Sequence, residues 1–171
     1  MTPMRKSLLV VVSAMTVVVL GAGAAAEADS GAGAAAATGT GVIAPEADVA
    51  HHGRLSLWSG ELSVRVASEN HGPSAVADAT VRLDFSVPLV RGQELPANCL
   101  WGGDRTVLCR TGQLRAVGRG GETAIALRTV GDPDEAVVQI DTVWNGGASD
   151  RNPDNNRHRV LVPATGDAYA Y

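Results

Sequence analysis

From Arg54 onward, apolar and polar residues alternate with a period of two. That period places every apolar side chain of a stretch on one face, so each stretch is expected to be a strand of a sheet with one buried side. The clearest case is Ala79, Val81, Leu83, Phe85 and Val87 alternating with Thr80, Arg82, Asp84 and Ser86. Leu62, Val64 and Val66 alternate in the same way with Ser63 and Arg65, as do Val138, Ile140, Thr142 and Trp144 with Gln139, Asp141 and Val143. Shorter stretches at Leu55 to Trp58, Thr106 to Arg110, Thr123 to Val130 and His158 to Val162 bring the expected strands to seven. Between them lie residues with turn chemistry: Asn70 to Ser74, Gly102-Gly103-Asp104, Gly118 to Gly121, Gly131 to Asp134, and Asn145 to Asn156. Short strands separated by Gly, Pro and Asn clusters, with no 3.6-residue stripe, predict an antiparallel β-sandwich, with a closed barrel as the other arrangement of the same strands.

The residues before Arg54 are of another kind. Arg5 and Lys6 precede an uncharged run from Ser7 to Leu20, and Ala24-Ala25-Ala26 follows as an A-x-A processing site. Residues 1–26 therefore read as a secretory signal peptide cut after Ala26, or after Ala28 through Ala26-Glu27-Ala28. The apolar run is shorter than the ~20 residues a spanning helix needs, and it carries no cysteine for lipid attachment. Between Gly21 and Gly41, 16 of 21 residues are Gly or Ala. So little side-chain surface cannot offset the entropy of ordering, and residues 27–52 are expected to be a disordered linker. Gly21 to Ala26 also matches the G-x-G-x-x-A pattern of dinucleotide sites, but the required βαβ unit is missing from the sequence that follows. The expected organisation is signal 1–26, linker 27–52, domain 53–163 and tail 164–171.

The chain carries 14 Lys and Arg against 18 Asp and Glu. Removing Arg5 and Lys6 with the signal leaves 12 against 18, a balance of −6. An acidic mature chain disfavours nucleic acid as a partner, and no membrane association is expected after cleavage. Cys99 and Cys109, in a chain addressed to an oxidising compartment, are expected to form a disulfide around Gly102-Gly103-Asp104. No motif assembles a catalytic site: there is no G-x-S-x-G, H-E-x-x-H or P-loop. Enzyme activity is not expected, and neither is a cofactor. Asp150, Asn152 and Asp154 take positions 1, 3 and 5 of a calcium loop, but Asn155 and Leu161 stand where an EF-hand has Gly and Glu. No metal ligand is assigned, and His51-His52 reads as a solvated pair in the linker. Val162 to Gly166 falls one residue short of a sortase signal and lacks the apolar tail that would follow one.

Asn70-His71-Gly72-Pro73-Ser74-Ala75, the Cys pair around its Gly-rich turn, and Asp150-Arg151-Asn152-Pro153-Asp154-Asn155-Asn156 before the last strand resemble the DUF11 family. These are immunoglobulin-like repeat domains of bacterial surface and secreted proteins, and the resemblance spans residues 54 to 163. It implies a sandwich in which the first turn lies between early strands and the second leads into the last. It brings no catalytic residues. The chain has one copy where the family often has tandem arrays, and it adds Trp58, Trp101 and Trp144. The expected function is a secreted, non-catalytic module contacting an extracellular protein or a cell-surface component; an inhibitor or small-ligand binder is the alternative, and a hydrolase comes last. Trp101 and Arg105, in the loop closed by the cysteines, are the candidate binding residues, because Trp and Arg favour binding hot spots.

Overall fold

The computed structural model describes residues 43–171, so the expected signal peptide and most of the expected linker lie outside the described residues. The described residues contain eleven strands and no helix: β1 (Glu46–Ala47), β2 (Val49–Trp58), β3 (Glu61–Asn70), β4 (Thr80–Phe85), β5 (Cys99–Trp101), β6 (Thr106–Arg110), β7 (Gly118–Arg128), β8 (Glu135–Trp144), β9 (Ser149–Asp150), β10 (Arg157–Pro163) and β11 (Tyr169–Ala170). The seven with five or more residues correspond one for one to the seven expected from alternation.

Two antiparallel sheets face one another. One has the order β11-β2-β3-β7 and the other β10-β8-β4-β6-β5. If β2, β3, β4, β6, β7, β8 and β10 are lettered A, B, C, C′, E, F and G, the sheets become A-B-E and G-F-C-C′, an immunoglobulin-like strand order without a D strand. Leu55, Leu57, Leu62, Val64, Ile125 and Leu127 from the first sheet pack on Val81, Leu83, Phe85, Val107, Val138 and Ile140 from the second. The β2–β3 hairpin closes through Ser59 and Gly60, with φ of 46° and 68°. Positive φ at both central residues is what a two-residue hairpin loop needs to match the strand twist.

Three boundaries differ from the sequence expectation. The domain begins before His52: β2 starts at Val49, β1 pairs in parallel with β9, and Ala47, Val49, Ala50 and His51 are buried. Residues 164–171 are not a free tail, since β11 pairs with β2 and the Tyr171 amide donates to the Gly53 carbonyl at 3.2 Å. Gly118 to Gly121 is not a turn but the start of β7. A Cβ on Gly120 would lie 2.5 Å from Leu114 Cδ2, so glycine there marks a close approach.

Candidate functional site

Cys99 and Cys109 are direct cross-strand partners in the β5–β6 hairpin, their Cα atoms 4.1 Å apart, and they are joined by a disulfide. The hairpin turn is tied to the segment that follows β4. The Phe85 amide donates to the Arg105 carbonyl at 2.8 Å, and the Leu89 amide donates to the Asp104 carbonyl at 3.0 Å. Beyond Leu89, the Val90 amide donates to the Arg128 carbonyl at 2.8 Å. Gln93 fixes the same corner, donating through Nε2 to the Val90 and Arg128 carbonyls and accepting the Arg128 amide at Oε1.

Between Leu89–Gly92 and Trp101–Asp104 lies an open cleft of about 430 Å³. Leu89, Val90 and Trp101 supply apolar surface, and Arg91 and Asp104 bring charges of opposite sign. Trp101 forms one wall while also packing against the sandwich core, and its indole Nε1 donates to the Gln93 carbonyl at 3.3 Å. It therefore packs on the edge of the sandwich and still presents part of its ring to the cleft. Arg105 is not among the lining residues. Its Nη1 donates to the Ser86 carbonyl at 2.7 Å, so it braces the hairpin from outside the cleft.

The two turn motifs meet at the other end of the sandwich. Asn70 is fully buried; its Oδ1 accepts the amides of Asp48 and Gly72 at 3.1 and 3.0 Å, and its Nδ2 donates to the carbonyls of Ser74 and Arg115. Both donors and both acceptor sites of the amide are thus occupied. A Cβ on Gly72 would lie 2.5 Å from Ala47 Cα, so the turn closes tightly on the incoming chain. From the opposite side, Asp150 Oδ2 accepts the Val49 amide and Asn156 Nδ2, Asp150 Oδ1 accepts the Asn152 amide, and Asn155 Nδ2 donates to Asp48 Oδ1. Hydrogen bonds engage both carboxylate oxygens of Asp150, the first position of the calcium-loop pattern. Glu46 to Val49 is held between the two turns.

His51 is not solvated. Its side chain points into the sandwich, with Nδ1 at 3.1 Å from Ser68 Oγ and Nε2 at 2.7 Å from Thr142 Oγ1. Ser68 stands opposite it on β3, whereas Thr142 belongs to β8 in the facing sheet, so the ring ties the two layers together. Burial, and secondarily the charges of His158 and His52, lower its pKa from 6.5 to about 4, so the ring is neutral near pH 7. A neutral imidazole has one donor and one acceptor, and two hydroxyls can serve both. His52 points outward from the same strand, where one of its ring nitrogens, a Glu69 carboxylate oxygen and a His71 ring nitrogen all lie within 4.8 Å of one another. In the sequence, His52 falls in the expected linker and His71 in an expected turn, and the signal that unites them is the β2–β3 register. Comparison with protein-family models and with curated proteins finds no match to this chain.

Proposed function

We propose that the chain is a secreted, non-catalytic immunoglobulin-like module of the DUF11 type that makes protein or cell-surface contacts through the cleft beside the stapled hairpin. The observation that carries this reading is a concave, partly apolar surface whose two walls are fixed by a disulfide, backbone hydrogen bonds and Gln93. A frame already ordered before contact loses little entropy on binding. Secretion agrees with the disulfide, which persists in oxidising compartments. The cleft volume also falls within the range of small-ligand sites, which favours the inhibitor or ligand-binding reading as the second choice.

The test is affinity capture from culture supernatant and cell-wall extract, with the wild-type chain and a Val90→Glu variant immobilised in parallel. Val90 is 39% exposed in the cleft, so a carboxylate there alters the contact surface without removing core packing. A component retained by the wild type and lost by Val90→Glu supports the cleft. Equal retention by both rejects it.

A further inference from the structure

We propose that His52, Glu69 and His71 form a Zn²⁺ site with one open coordination position on the outer face of the four-stranded sheet. In the β2–β3 register, His52 stands opposite Ala67 and Ala50 opposite Glu69, so His52 and Glu69 are diagonal neighbours on the outward face. Diagonal pairs on one face lie within reach of long side chains, and alanines at the two facing positions leave room between them. His71 follows Glu69 by two residues, and its Nε2 is 3.2 Å from Glu69 Oε2. Two ligands of a tetrahedral zinc at ordinary bond lengths stand about 3.4 Å apart, so this pair already has the spacing the ion requires. His52 completes the triad through a side-chain rotation on an exposed surface.

The backbone under the three residues is fixed. His52 lies inside the β2 ladder, Glu69 inside β3, and the His71 amide donates to the Asp48 carbonyl at 2.8 Å. Glu69 is oriented further by Arg119 of β7, which stands directly opposite it and whose Nε lies 2.9 Å from Oε1. That contact leaves Oε2 turned to His71, which is how an outer partner positions a ligating carboxylate. Two imidazoles and one carboxylate suit zinc, and with three protein ligands the fourth position is left for water or an exogenous anion. The site lies on the outside of the sheet, apart from the cleft, and does not depend on the contact role proposed for it.

Zn²⁺ alone is the probe, titrated into the untagged chain in competition with a chromophoric chelator, with ring nitrogens followed by ¹⁵N NMR. One equivalent is expected to bind, with the ring nitrogens of His52 and His71 shifting and that of His158 unmoved. His52→Ala and His71→Ala should each weaken binding by at least about 10-fold, while His158→Ala binds like the wild type. His52 is exposed, so His52→Ala should leave the metal-free melting temperature unchanged and keep the result independent of folding. Absence of saturable binding, or undiminished binding by the His52→Ala variant, overturns the proposal.

Discussion

The two ends of the sandwich are secured by opposite means. At the end where β3 finishes and β4 begins, short polar side chains hold the backbone: Asn70, Asp150 and Asn155 bind the peptide groups and side chain of Asp48 and Val49 from two sides. At the other end, the turn of the β5–β6 hairpin is held by backbone pairing to Phe85 and Leu89, while the Cys99–Cys109 bridge closes the base of the hairpin beside Val81, and apolar surface remains in the open. A polar network whose members are mutually satisfied leaves few groups free for a partner. A stapled hairpin needs no such completion, and its exposed surface is free to do something else. Asn70 and the Asp150–Asn156 turn are thus committed to the fold, and exposed apolar surface lies beside the hairpin turn instead.

Substitution at the clasp should give the largest effect. Asn70→Ala leaves two buried amides and two carbonyls without their partner, and a loss of about 4 kcal/mol is expected from urea denaturation. A loss below about 1 kcal/mol would mean that the clasp is ornamental and the two ends are alike.

The buried imidazole gives the next effect, and its sign follows from the lowered pKa. Between pH 6.5 and about 4 the unfolded state binds a proton at His51 that the folded state does not, so stability falls as pH drops through that window and levels below it. The full shift corresponds to roughly 3 kcal/mol. Urea denaturation at several pH values should show this slope in the wild type and its loss in His51→Gln; an unchanged slope in the variant would assign the acid sensitivity to carboxylates.

Reduction of the disulfide tests how the β5–β6 hairpin is held. Opening a loop of this length should cost about 3 kcal/mol through loop-closure entropy. Hydrogen exchange sharpens the contrast: amides of β5 and β6 should lose protection first, while those of Asp48 and Gly72 keep it. Simultaneous loss at both ends would show the domain to be a single cooperative unit. The smallest effect belongs to Arg105→Ala, which removes one exposed hydrogen bond to the Ser86 carbonyl and should change stability by about 1 kcal/mol or less. A larger drop in melting temperature would make Arg105 essential to the hairpin.

The strands with one solvated face were legible because alternation is a direct image of that environment. Ala79 to Phe85 needed no further information. At Val49-Ala50-His51 the image fails, since all three residues are buried and no alternation results. The histidine pair then reads as polar, although one ring points inward and the other outward, as the pleat requires. Gly118 to Gly121 misled for a different reason: glycine near a strand end signals either a turn or a close contact, and only Leu114 lying against Gly120 decides between them. In the candidate site, the disulfide was readable from two cysteines in a chain with a secretory pattern, and with it the place of Trp101 in the stapled loop. The bracing role of Arg105 was not, because it depends on where the Ser86 carbonyl lies. The grouping of His52 with Glu69 and His71 depends on strand register, which is set by the hairpin turn at Ser59-Gly60 and by the extension of β2 back to Val49.

The clasp around Asp48 also bears on mechanics. Tension arriving through the chain ahead of Glu46 meets this grip before it reaches the β2–β3 ladder, because Ser74 binds the Glu46 carbonyl, His71 binds that of Asp48, and Asn70 and Asp150 bind the next amides. Pulled along the strand, these bonds are loaded together and must fail together, whereas bonds opened one after another yield at lower force. A domain tethered through its N-terminal side would thus carry its anchor point inside its own fold, and its lifetime under load would follow the rate at which that grip opens.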